Sequence, residues 1–308
     1  MVCGRIPKRE GKVGLVYLLN HHGMVKTEAT LARLPDSDRG RGRIWYGSAA
    51  AAEYHDMDWL TQNLRPEEDV TIRSLTNDQT ILVLAGPKAR DVLGKVSRED
   101  WSKEAFPWLS VRECFIGIAP ATVMSVSFSG EMAYEIHVPN AQLYAAYLAL
   151  REAGRAVDMH LFGARAVESM RMEKGYLHWK ADILTEFDPL ETGLDRFVKL
   201  DKGDFVGRAA LQARLDDADR KSFVTMTINT KEGPAQGGSS VTHNGKVVGT
   251  ITSGDWGHRT GQNLAYAFVA QQFADVGTSL FVDVLGHPRT ATVIPASPYD
   301  PETKLPRS

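Results

Sequence analysis

GLVYLLNHHGMVKTEATLARL, residues 14–34, sets two apolar-rich runs on either side of an Asn-His-His-Gly corner. Gly23 supplies the backbone freedom a tight turn needs, and alternating side chains flanking such a turn predict two antiparallel strands, a β-hairpin. On the second arm, alternation puts Glu28 on one face with Lys26 and Thr30, the polar side of the strand.

Outward from the hairpin, strand and helix signals are mixed without the βαβ rhythm of a parallel sheet. RIWYG (43–47) reads as a strand, and SAAAAEYHDMDWLTQNL (48–64) as a helix capped by Ser48, with Ala52, His55, Trp59 and Leu60 at helical spacing. DVTIRSLTNDQTILVLAG (69–86) predicts two strands around an Asn-Asp turn, followed by a short helix in PKARDVLGKV. IAPATVMSVSFSG (118–130) and MAYEIHVP (132–139) predict a pair of strands turning on Gly130, the second carrying Glu135; Asn140 then caps a helix whose Leu143, Tyr147 and Leu150 share a face up to Gly154. A further helix runs from about Gly163 to Glu173, where an acid near a helix C-terminus is disfavoured by the dipole and implies a specific partner.

The pattern is charged and short-helical over 201–219, and beyond Ser222 it changes to strands separated by Gly, Asn and Asp turns: SFVTMTI, SVTHNGKVVGTITSG, NLAYAFV and TSLFVDVLGHPRTATVIP. The expected architecture is therefore an α+β body with antiparallel sheets over residues 1–218 and a small β-barrel domain over 219–308, ending in a frayed tail, SPYDPETKLPRS.

With 43% hydrophobic and 24% charged residues, the 308-residue chain has the composition of a soluble globular protein. A net charge of -2, from 36 basic and 38 acidic residues without long blocks of either sign, gives no basic face for nucleic acid. No window has the apolar length of a membrane span. Cys3 and Cys114 form neither a disulfide framework nor a zinc pattern, and a cytoplasmic, reducing compartment is expected. GxGxxG after a strand, GxxxxGK, HExxH and GxSxG are all missing, so nucleotide, zinc-hydrolase and serine-hydrolase chemistry loses its usual support and no metal site is expected. His21 and His22 belong to the hairpin turn and are expected to be solvated, whereas His178 and His258 each lie near a tryptophan.

Five stretches in this order, GLVYLLNHHGMVKTEATL, SGEMAYEIHVP, GARAVESMRMEKGYLHW, PLETGLDRFVKLDKGDFVGRAAL and GTITSGDWGHRTGQNLAYAFV, resemble the folate-binding aminomethyltransferase family, which includes the glycine cleavage T-protein and the C-terminal half of dimethylglycine and sarcosine dehydrogenases. EKGYLHW and LETGLDRFVKLDKGDFVGR look closer to the dimethylglycine branch. The resemblance implies tetrahydrofolate as cofactor and transfer of a one-carbon unit from an aminomethyl or iminium donor, giving 5,10-methylenetetrahydrofolate. It also implies that Glu131 accepts paired hydrogen bonds from the pterin edge, with Gly130 allowing close approach, and that Glu28 is the acid near N10. Tyr176, Trp179, Trp256 and His258 are further candidates for the folate pocket, with packing roles as the alternative.

Several positions depart from the family pattern. The matching stretch GMVKTE has Thr27 at the first acidic place of the T-protein's GGxxDD and Glu28 at the second; Val167 stands where the T-protein has an arginine, with Arg165 two residues earlier; Ala133 replaces a usual glycine. These imply altered donor handling. Family members also carry a stretch ahead of the hairpin; either another polypeptide supplies it, a flavin-bearing subunit or a second copy, or it has been truncated, and an unpaired hairpin edge is the expected place for a partner contact. Two other readings remain beside methylene transfer: a tetrahydrofolate-dependent demethylase acting on S- or O-methyl donors, and a non-catalytic folate-binding subunit.

Overall fold

The computed structural model describes residues 1–37, 40–216 and 219–308. In chain order the elements are β1 (Lys12–Leu19), β2 (Val25–Leu34), β3 (Arg43–Gly47), α1 (Glu53–Gln62), β4 (Gln79–Ala85), α2 (Ala89–Val96), β5 (Val111–Ile116), β6 (Ala119–Met124), β7 (Ala133–Pro139), α3 (Leu143–Arg155), α4 (Ala164–Lys174) and α5 (Arg208–Ala213). Then follow β8 (Lys221–Ile228), β9 (Ser240–His243), β10 (Lys246–Gly257), β11 (Gln262–Ala270), β12 (Ser279–Val284) and β13 (His287–Ile294). Helices and antiparallel sheets are mixed, as the sequence predicts, and among the described residues β8–β13 form a closed barrel in the order β10-β11-β8-β13-β12-β9.

The chain divides into two compact units: one comprises Met1–Arg5, Tyr17–Glu28 and Gly163–Glu302, the other Ile6–Val16, Ala29–Phe162 and Thr303–Ser308. The domain boundary expected at 218/219 falls beside residues 217 and 218, which lie outside the described residues.

In the first unit the hairpin turn forms where the Asn-His-His-Gly corner predicts it. The Asn20 side-chain oxygen accepts the His22 and Met24 amides at 2.9 and 3.1 Å, and both histidines are exposed. Gly23 has φ +80°, and a Cβ there would lie 2.8 Å from the Leu211 backbone nitrogen, so both conformation and space require glycine.

The barrel explains the small-large alternation of NLAYAFV. Ala265, Ala267 and Val269 of β11 face the barrel core with Met226, Ile251, Leu280 and Val293. A six-stranded barrel is narrow, so small side chains suit its interior. Leu264 and Tyr266 point the other way and pack with Met172 of α4, and Phe268 stacks on Phe187 at 3.8 Å.

The second unit is organised by the sheet β4-β7-β6-β5, whose inner face, Leu84, Tyr134, Ile136, Val138, Val123 and Ile116, is covered by Leu93 of α2 and Leu150 of α3. β5 had no counterpart in the sequence reading: VRECFI mixes charges into the strand because Glu113 faces Arg43, which it binds through both carboxylate oxygens.

Four expectations are corrected. Ser48 does not cap α1, which begins after a short 3-10 turn at Ala50–Ala52 without a side-chain cap. DVTIRSL is not a strand, since alternation alone fails without a neighbour to take its backbone hydrogen bonds; residues 69–75 are irregular. The strand expected over 118–130 is shorter than predicted, since β6 spans Ala119–Met124 and the residues from 125 to Gly130 are not strand. The tail is not frayed: the Tyr299 amide donates to the Glu173 carbonyl at 2.9 Å, and Lys174 Nζ donates to the Asp300 carbonyl and, at 3.2 Å, to Oδ2.

Candidate active site

Glu28 is half-buried, and its Oε2 accepts the Tyr17 hydroxyl at 2.5 Å. Thr27 beside it points inward and is fully buried, so the register keeps Glu28 on the face with Lys26 and Thr30. The outward-facing strand position is thus not a solvated one. Burial of the carboxyl pushes its pKa up to about 7, against which the tyrosine hydrogen bond pulls it down. A carboxyl that titrates near neutrality can hold or release a proton at physiological pH, as an acid–base group must.

α4 anchors a polar network that the sequence reading missed. Arg171, 1% exposed, donates from Nη1 to Asp182 Oδ2 at 2.5 Å, from Nη2 to Ser253 Oγ at 2.9 Å, and from Nε and Nη2 to Glu168 Oε2 at 3.0 and 2.8 Å. Asp182, fully buried, also accepts Thr252 Oγ1 at 2.6 Å, Ser253 Oγ at 2.7 Å and the His178 amide at 2.9 Å. These groups tie α4, the KGYLHWKADI segment and β10 together; every charge is paired, so the network is structural rather than reactive.

Glu173 does have the specific partner that its helix-terminal position implies. Its Oε1 accepts the Arg259 and Thr260 amides at 2.6 and 2.8 Å, and it closes the β10–β11 turn onto the end of α4. Trp256, at the end of β10, is half-buried with its carbonyl bonded to Ser169 Oγ at 2.6 Å, and His258, in the turn, is exposed. Tyr176 is half-buried with its carbonyl accepting Arg171 Nη1, and Trp179 is buried beneath Lys180, whose Nζ lies 4.9 Å from the ring centre. His178 is exposed and Arg165 is exposed, while Val167 is half-buried.

In the second unit, Gly130 has φ +78° and Glu131 follows it half-buried, its amide donating to Ser129 Oγ at 3.3 Å just before β7. Glu135 projects from the same sheet face as the buried His137, with 3.4 Å between Oε2 and Nε2. Among the described residues no cluster of His, Cys, Asp and Glu could hold a metal ion, and no helix is long and apolar enough to cross a membrane.

The fold is that of an α+β chain with a closed antiparallel barrel at its C-terminal end. The family is then given by comparison: residues 1–202 match the GCVT N-terminal domain and residues 221–300 the glycine cleavage T-protein C-terminal barrel domain, so the chain belongs to the glycine cleavage T-protein family of aminomethyltransferases. It is 31% identical over 295 residues to mitochondrial dimethylglycine dehydrogenase of Rattus norvegicus, a match covering 95% of this chain and 34% of that protein. It is 30% identical over 277 residues to sarcosine oxidase subunit alpha of Rhizobium meliloti, covering 86% of this chain and 27% of that one. The chain thus spans about a third of the length of these relatives. The crystal structure of glycine cleavage system aminomethyltransferase T from Bartonella henselae has the same fold, with a TM-score of 0.82 at 22% identity, covering 94% of this chain and 76% of that one.

Proposed function

We propose that this chain is a tetrahydrofolate-dependent one-carbon transferase that accepts an aminomethyl or iminium donor of the dimethylglycine or sarcosine type and gives 5,10-methylenetetrahydrofolate. The observation that carries the reading is the Glu28 carboxyl, held by Tyr17 and titrating near 7 in a chain of this family.

Taken each within its own unit, Glu28 and Glu131 offer groups that a reduced folate can use. Tetrahydrofolate, when bound, supplies the two nitrogens that take up the one-carbon unit. Glu28, with Oε2 held by Tyr17 and no described hydrogen bond to Oε1, is suited to exchange a proton with an amine. Glu131, presented at the Gly130 corner, offers two acceptor oxygens to the amino and ring N–H of a pterin. Tyr176, Trp179, Trp256 and His258 belong to the unit that holds Glu28, and we assign the first three to packing or stacking and His258 to the solvent-facing rim. The match to a protein named as one subunit of sarcosine oxidase supports assembly with a flavin-bearing partner that supplies the donor. The free, buried thiols Cys3 and Cys114 support a reducing compartment.

The test supplies the chain with tetrahydrofolate and a flavoprotein that oxidises 13C-methyl-labelled dimethylglycine or sarcosine. Label appearing in 5,10-methylenetetrahydrofolate faster with the wild type than with Glu28→Gln is the expected result. Label in 5-methyltetrahydrofolate would transfer the assignment to a demethylase. Equal rates for both proteins would leave only a folate-binding subunit.

A further inference from the structure

Tyr17 entered the sequence reading only as an apolar strand position, yet among the described residues it is the one side chain that holds the Glu28 carboxyl. Its ring, 2% exposed, packs against Phe197 with centroids 5.1 Å apart at 57°. Its backbone is also held: the Cys3 amide donates to the Tyr17 carbonyl at 3.0 Å. A phenol pinned on its ring and its backbone leaves its hydroxyl little freedom, so the carboxyl it meets is oriented by it.

We propose that Tyr17 is the positioning residue for Glu28, fixing Oε2 through its hydroxyl so that Oε1 is the oxygen that exchanges a proton with substrate. The inference rests on the reading of Glu28 as the acid–base group and adds the residue that sets its geometry and proton affinity. A phenol O–H stabilises the carboxylate over the carboxylic acid, so it opposes the effect of burial and holds Glu28 within reach of neutral pH. The other ionisable groups on this side are Cys3, whose thiol burial pushes up to about 11 and therefore neutral, Lys202 beside Cys3, and Arg196, whose guanidinium lies 4.7 Å from the Phe197 ring centre; Lys26 shares the polar face of β2. None of these hydrogen bonds to the Glu28 carboxyl, so Tyr17 is the group to change.

The experiment is a 13C NMR titration of the glutamate carboxyls in the ligand-free chain, with Glu28 assigned by its disappearance in Glu28→Gln. In Tyr17→Phe, which keeps the ring against Phe197, the Glu28 midpoint rises by about half a pH unit or more, a roughly threefold change in proton affinity. An unchanged midpoint overturns the proposal. If Tyr17→Phe does not fold, the phenol carbon of Tyr17 is titrated instead: burial, then the charge of Glu28, push its ionisation up, so it ionises at lower pH in Glu28→Gln, and an identical titration overturns the proposal. Because neither titration needs folate, a chain that binds no reduced folate would contradict the functional reading while leaving this result to be judged on its own.

Discussion

Arg171→Met is the substitution whose cost the structure fixes most firmly. The guanidinium is fully buried and meets Asp182, which is itself without solvent exposure. Methionine keeps much of the apolar volume but leaves Asp182 with an uncompensated negative charge, held among the described residues by the Thr252 and Ser253 hydroxyls and the His178 amide. Removing one partner of such a buried pair costs about 3–5 kcal/mol. At about 2–4 °C per kcal/mol, the melting transition of the unit holding α4 and the barrel falls by roughly 6–20 °C. Urea unfolding followed by tryptophan fluorescence reads the loss directly. The double variant Arg171→Met, Asp182→Asn removes the stranded charge and recovers at least half of it, since the asparagine oxygen still accepts two of the three remaining bonds. A loss below ~1 kcal/mol in the single variant, or a double variant as unstable as the sum of the singles, would refute the claim that desolvated charge pairing, rather than packing, sets the energy here.

Glu173→Ala removes the acceptor for the Arg259 and Thr260 amides, so hydrogen exchange at these two amides accelerates and stability falls by about 1–3 kcal/mol, with Glu173→Gln intermediate. Gly23→Ala costs more than about 1 kcal/mol, read by thermal melting, because a left-handed φ and the Leu211 backbone both oppose a methyl group. The raised Glu28 pKa gives a pH dependence of definite sign. Between the ordinary carboxyl value of 4.5 and about 7 the folded chain holds a proton that the unfolded chain releases, so the Glu28 contribution to stability is present below 4.5 and is lost as pH rises toward 7. The loss is at most about 3 kcal/mol, and it vanishes from denaturation curves of Glu28→Gln.

What was legible in the sequence was whatever local chemistry dictates. The Asn20–His22–Gly23 corner fixes the hairpin, the Gly, Asn and Asp turns after Ser222 mark the barrel strands, and the dipole at the end of α4 correctly implied a partner for Glu173. What was not legible depends on groups far apart in the chain. DVTIRSL has a strand's alternation but no neighbour, and the tail reads as polar coil although Lys174 and the Glu173 carbonyl, far upstream, tie it down. The Arg171–Asp182–Ser253 network spans two loops' worth of sequence and a barrel strand, and no spacing rule reaches across it. At the candidate site, Glu28 and Glu131 were named by resemblance, whereas Tyr17 was passed over because an inward tyrosine on a strand looks like core until its hydroxyl is seen to meet a carboxyl.

The measurement that tests the central claim most directly is a calorimetric titration of the chain with 5-formyltetrahydrofolate, wild type beside Glu131→Ala. The account predicts micromolar binding by the wild type, about 8 kcal/mol, with loss of binding in the variant. Wild-type binding that the substitution leaves unchanged would contradict the pterin assignment, and no binding by a folded wild type would contradict folate binding by this chain on its own.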